Sequence, residues 1–216
     1  IAAVKFEVSE ALITSEESYG HAVANAEGEA AGAGADLVLF PEYAAAFLAA
    51  VPYSAEIAAS RTLAGALRRI AARPQEPTTL RKLFIESAPE VLDRMDRIYG
   101  SLARRHNVHI LAGTYFAASR GKRGALRLTN RAVVYAPTGR RSYEQDKVFL
   151  TPFERELLGL ESGRATDADG FEVEDVEVGV TICRDTFFDI WDTLHEDRHV
   201  WVDIKADGTR FDDVAR

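Results

Sequence analysis

One cysteine, one methionine and two tryptophans occur in 216 residues. A lone cysteine excludes an intramolecular disulfide and a cysteine-rich zinc site, and it suits a reducing compartment, so the cytoplasm is the expected location. No run of eighteen apolar residues is present, and Ile1-Ala2-Ala3-Val4-Lys5-Phe6 is too short for a signal peptide, so no membrane partner is expected. A basic balance is also missing. With 26 Lys and Arg against 34 Asp and Glu, the formal net charge of −8 has the wrong sign for a nucleic-acid-binding face. The pairs Arg68-Arg69, Arg104-Arg105 and Arg140-Arg141 read as solvated faces. Nothing suggests a metal or an organic cofactor. There is no initiator methionine, and Asp207-Gly208-Thr209-Arg210 reads as an interrupted element, so both ends are expected to be incomplete.

What is present is enough apolar residue, 47% of the chain, for one domain with a sizeable core. Ala2 to Val8 reads as a strand, and Ser15 to Gly34 as a helix capped by Ser15. Leu37-Val38-Leu39-Phe40, closed by Pro41, reads as a strand buried on both faces. Ser54 to Ala72 and Pro77 to His106 have helical periodicity interrupted by Pro74, Pro77 and Pro89. A strand from Val108 to Tyr115 is expected to end at Gly113. Asn130 to Pro137 and Ser142 to Val148 form a hairpin, Phe171 to Glu174 pairs with Val176 to Ile182, a helix runs from Thr186 to Glu196, and Val200 to Ile204 returns as a strand. Strands alternating with helices imply a layered α/β fold.

Three strand ends carry chemistry. Cys183 follows Val178-Gly179-Val180-Thr181-Ile182 and precedes Arg184-Asp185. A thiol at that strand-to-helix turn is expected to face outward, with nearby amides and the helix dipole favouring thiolate; the bland alternative is a small buried hydrophobe. Glu42 ends the Leu37 to Pro41 run, where apolar neighbours would raise its pKa and suit it to act as a base. Lys147 lies in Asp146-Lys147-Val148-Phe149-Leu150-Thr151-Pro152-Phe153, where its ammonium could stabilise an oxyanion. His21, His106, His109, His195 and His199 have no positional motif and read as surface or capping residues.

Taken in order, Phe40-Pro41-Glu42, Asp146-Lys147 with Leu150-Thr151-Pro152-Phe153, and Gly179-Val180-Thr181-Ile182-Cys183-Arg184-Asp185 resemble the nitrilase, or carbon-nitrogen hydrolase, superfamily. Leu111-Ala112-Gly113-Thr114-Tyr115 and Asn130 to Tyr135 resemble its central strands. The resemblance implies a four-layer α-β-β-α sandwich, one domain over residues 1–216 lacking C-terminal elements, and a helical insertion or lid over residues 44–106. It implies a Glu42, Lys147 and Cys183 triad, with an assisting glutamate at Glu154 or Glu156, Glu154 preferred. The Arg184 backbone N–H would complete the oxyanion site. The implied activity is hydrolysis of an amide or carbamoyl-type small molecule through a cysteine thioester, without a metal or cofactor, in a homodimer or higher homo-oligomer. Cys183-Arg184-Asp185 differs from the Cys-Trp-Glu of true nitrilases, which tilts the reading towards amides. A nitrile hydrolase, an acyltransferase and a non-catalytic binding or scaffolding protein of the same fold are the alternatives.

Overall fold

The computed structural model describes residues 1–121 and 124–206; the expected interrupted element at Asp207 to Arg210 lies outside them. Within the described residues a five-stranded sheet has the order β1 (Ala2–Ala3), β2 (Leu37–Leu39), β3 (His109–Arg120), β4 (Leu126–Tyr135) and β5 (Arg141–Asp146). The first three strands are parallel and the last two antiparallel to their neighbours. A second sheet comprises β6 (Phe171–Val173), β7 (Val176–Ile182) and β8 (Val200–Ile204), with β7 and β8 parallel. The first strand is shorter than expected, although the Val4 N–H still reaches the Leu39 carbonyl.

Side-chain alternation explains how these sheets stack. Leu37, Leu111, Ala132 and Val134 face Val178, Val180, Ile182, Val202 and Ile204 of the second sheet, all largely withdrawn from water. Their neighbours Val38, Ile110, Val133 and Tyr135 point the opposite way, into a second core formed with helices. A period of two places each strand in both cores, which is why the central strands read as continuously apolar. Fully burying each large side chain contributes roughly 1.5–3 kcal/mol.

The helical side of the larger core is made by α2 (Glu16–Gly32) and α5 (Leu80–His106), preceded by the short α1 (Ala11–Thr14). Ser15 caps α2 by accepting the Ser18 N–H at 3.0 Å, and Thr79 caps α5 by accepting the Lys82 N–H at 3.2 Å. Pro89 does not break α5, contrary to the sequence expectation. Its ring lies on the solvent side, while Leu83, Val91, Met95, Tyr99 and Leu102 are buried, so packing outweighs the lost hydrogen bond. Residues 44–79 form two 3₁₀ turns, then α3 (Ser54–Ala58) and α4 (Leu63–Ala71), whereas α5 packs on the sheet itself.

On the far side of the small sheet the expected Thr186 to Glu196 helix is split into a 3₁₀ turn, Cys183–Phe187, and the short α6 (Ile190–Leu194). Trp191 and His195 are buried there. His195 is therefore not a surface residue: its ring packs over Gly179, where any Cβ would collide with it, and Nε2 lies 3.2 Å from the Val180 carbonyl. Helices, two sheets and this thin outer layer form the α-β-β-α sandwich. No helix among the described residues is long and apolar enough to cross a membrane.

Strand β3 does not end at Gly113 but bulges there, with the register shifting between Leu111 and Thr114. Gly113 has φ 68°, and a Cβ would run into the Pro41 carbonyl. Gly34 provides a control, since it has φ 83° with open space around it. Gly34→Ala should cost only the φ strain of about 1 kcal/mol. Gly113→Ala should lower the urea midpoint distinctly further, because the Pro41-Glu42 segment must also move; equal midpoints would contradict this packing.

Candidate active site

The three parallel-strand termini converge. Glu42 follows β2, Cys183 follows β7, and Lys147 lies one residue beyond β5. Open α/β sheets place their sites at such carboxyl ends because the strands stop there while the flanking layers continue.

Lys147 is fully buried, and its Nζ lies 2.8 Å from Glu42 Oε1 and 2.9 Å from Glu154 Oε2. Both carboxylates are also withdrawn from water. Asn130 on β4 joins them, with Nδ2 donating to Glu42 Oε1 at 2.9 Å and to Glu154 Oε1 at 2.8 Å. These two acceptors fix the orientation of the amide. The structure thus brings Glu154 to Lys147, while Glu156 is exposed.

The two glutamates have different surroundings. Glu154 Oε1 also accepts the Tyr43 hydroxyl at 2.8 Å, and Oε2 accepts the Thr151 N–H at 2.8 Å and the Thr151 hydroxyl at 3.0 Å. Burial works against its charge, but these donors and Lys147 prevail and hold its pKa below the ordinary value. Glu42 has fewer donors. Burial raises its pKa despite Lys147, and the charge of Glu154 raises it further. Two carboxyls driven apart in this way suit two tasks: Glu154 is a fixed anion, and Glu42 is a proton acceptor whose Oε2 is engaged by neither Lys147 nor Asn130.

Cys183 is half-buried, and its thiol is pushed up to about 11, first by burial, then by the charge of Glu42, with Lys147 pulling the other way and a hydrogen bond to Glu42 adding to the rise. The sequence-based expectation of a thiolate is overturned. The adjoining helical turn spans only Cys183–Phe187, and a buried carboxylate faces the sulfur. The resting site holds a neutral thiol beside a base.

Strain and hydrogen bonds fix these positions. Cys183 has φ 53° and Tyr43, next to Glu42, has φ 64°, both in the left-handed region that non-glycine residues seldom occupy. The Cys183 N–H donates to Asp203 Oδ1 on β8 at 3.0 Å. Asp185 accepts the N–H groups of Phe149 at 2.7 Å, Val148 at 3.2 Å and Ile182 at 3.3 Å, which ties the cysteine turn to the lysine segment. Burial pushes Asp185 up to about 6 against those three donors, leaving it ionised at neutral pH. The Tyr43 N–H donates to Thr114 Oγ1 at 2.8 Å, one residue past the Gly113 bulge.

Asn130, Tyr43, Thr151, Asp185 and Asp203 were given no role by sequence reasoning. A signal existed for Asn130, since an amide inside an apolar strand must find partners when buried. The histidines are engaged elsewhere: His106 Nδ1 lies 2.8 Å from Glu27, and His199 accepts the Glu177 N–H. No group of three or more His, Cys, Asp or Glu among the described residues is arranged to hold a metal ion.

Two measurements probe this electrostatic arrangement. Lys147→Met leaves two buried carboxylates without their cation and should cost about 3–5 kcal/mol at pH 8 by urea unfolding. The loss should shrink towards pH 5 as a glutamate protonates, and a pH-independent loss would contradict the assigned charges. Alkylation of Cys183 by iodoacetamide should rise with pH towards a midpoint near 11. Glu42→Gln should move that midpoint down, because it removes a negative charge and leaves Lys147; an upward shift would show that Glu42 does not face the sulfur.

The fold recurs in solved structures at low sequence identity. A carbon-nitrogen hydrolase from Helicobacter pylori G27 is 16% identical, with TM-score 0.61 over 98% of this chain and 61% of its own. Saccharomyces cerevisiae Nit3, of branch 10 of the nitrilase superfamily, is 17% identical, with TM-score 0.57 over 92% and 63%. An amidase from Nesterenkonia sp. AN1 is 13% identical, with TM-score 0.60 over 98% and 68%. The chain therefore spans less than two thirds of the length of the first two. No curated protein matches it in sequence. The carbon-nitrogen hydrolase family model matches residues 7–191, and the chain accordingly belongs to that family, within the nitrilase superfamily.

Proposed function

We propose that this chain hydrolyses non-peptide C–N bonds of amide or carbamoyl type through a thioester on Cys183. The observation that carries the reading is the pairing of a neutral Cys183 thiol with a buried, raised-pKa Glu42. Glu42 takes the Sγ proton as sulfur attacks the substrate carbon, so the thiolate forms only during attack. The carbonyl becomes an oxyanion. Lys147 directs two of its three N–H bonds to Glu42 and Glu154, leaving the third for that oxygen. The Arg184 N–H, in the first turn after β7, is the second donor. Oxyanion donors of this kind contribute roughly 3 kcal/mol each where removal has been measured.

Collapse of the intermediate breaks the C–N bond, and Glu42 returns its proton to the departing nitrogen as ammonia or an amine. Water then enters, gives a proton to Glu42, and attacks the thioester. The acid leaves, and the proton restores the thiol. Throughout, Glu154 remains an anion that keeps Lys147 charged and in place. The Nesterenkonia amidase has an active-site cysteine at which acrylamide undergoes Michael addition, which supports the same role for Cys183.

Cys183→Ala should abolish release of ammonia from amides without changing the unfolding midpoint, and retained turnover would remove Cys183 from the chemistry. For the wild-type chain, kcat/KM should fall as pH drops through a pKa above the ordinary 4.5 of glutamate, because protonated Glu42 cannot accept the thiol proton. Trapping an acyl adduct on Cys183 by mass spectrometry, and measuring its partition between water and added amines, separates hydrolysis from acyl transfer.

A further inference from the structure

Beside Glu42 lies an open cavity of about 500 Å³. We propose that it receives the acyl part of the substrate and that this part is an apolar chain or ring. The assignment rests on the thioester reading above and goes beyond it by naming the substrate class.

The placement follows from topology. One wall is the segment continuing from β1, with Val4, Phe6 and Val8; another is the turn after Glu42, with Ala44 and Phe47. The third is Lys205-Ala206, the continuation of β8. Ile204 pairs with Ile182 in the β7–β8 register, so that wall begins beside Cys183, and Asp203 just before it holds the Cys183 N–H. A carbonyl carbon attacked by Cys183, with its proton passing to Glu42, has its remaining substituent directed along these walls.

The lining determines the chemistry of the occupant. Val4 and Phe6 turn inward while Lys5 between them is exposed, as alternation along an extended segment requires. Phe6 is fixed edge-on against Phe40 at 5.5 Å and Tyr19 at 6.2 Å, making a rigid apolar floor. Val8 stands 72% exposed, an apolar side chain left open at the rim. The two cations nearby already have counterions: Lys5 Nζ is 3.3 Å from Glu7, and Lys205 Nζ is 2.8 Å from Asp203 and 5.5 Å from the Phe187 ring centroid. Glu42, itself in the wall, disfavours an anionic acyl group. These features select hydrocarbon over a second carboxylate.

The test compares acetamide, butanamide, hexanamide and succinamic acid on the 216-residue chain. Each added methylene should raise kcat/KM about fourfold until the cavity is filled, the ratio that follows from transferring one CH₂ out of water. Val8→Asp should lower the hexanamide-to-acetamide ratio about tenfold or more. A flat series, or preference for succinamic acid, overturns the assignment. Affinities of Cys183→Ala for the same amides need no turnover and should show the same increase with chain length. A flat affinity series there overturns the cavity assignment independently, whereas an increase in affinity without acylation of wild-type Cys183 supports the cavity and overturns the thioester reading instead.

Discussion

The buried ammonium of Lys147 is the interaction on which the rest of the site depends. An isolated charge in the interior would be expelled or neutralised. Here Glu42 and Glu154 keep it charged, and its pKa lies above the ordinary lysine value because their attraction exceeds the cost of burial. One cation between two carboxylates leaves one excess negative charge, and the environment assigns that excess unequally. Five donors saturate Glu154, so the frustrated charge falls on Glu42. A glutamate in that position gains by taking a proton, and the nearest proton belongs to Cys183.

Backbone geometry supports this arrangement at a cost in strain. Left-handed residues at Tyr43 and Cys183 turn the chain sharply as it leaves β2 and β7, delivering Glu42 and the sulfur to the same point. Such conformations cost about 1–3 kcal/mol each and persist only where surrounding contacts over-determine them. Those contacts are identifiable: Thr114 holds the Tyr43 amide, Asp203 holds the Cys183 amide, and Asp185 joins the cysteine turn to Val148 and Phe149. Each comes from a different element, so the site is assembled only when both sheets have docked through Leu37, Leu111, Val134, Val180 and Ile204.

Much of the fold was legible because its signals are local. Ser15 before Glu16-Glu17 marks a cap, and four apolar residues ended by Pro41 mark a buried strand. Pro89 and Gly113 were misleading for a physical reason: a proline on the solvent side of a well-packed helix is tolerated, and a glycine inside a strand can make a bulge instead of an end. His195 misled similarly, since its burial depends on Gly179 sixteen positions earlier. The shortened helix after Cys183 has the same character, because Asp185 spends its carboxylate on amides from two segments.

The sequence by itself determined the strand-end placement of Glu42, Lys147 and Cys183, the layered α/β alternation, and the motifs that the family shares. These follow from side-chain period, turn chemistry and short contiguous segments, all properties of neighbours in the chain. Only the tertiary structure decided that Glu154 and not Glu156 meets Lys147, that Asn130 bridges the two glutamates, and that the sulfur rests as a thiol with its pKa pushed up to about 11. Those outcomes depend on burial and on charges brought together across 24 to 112 positions of chain in the contacts of Glu42, Asn130 and Glu154. Electrostatic energy depends on distance and desolvation in space, neither of which is set by sequence separation.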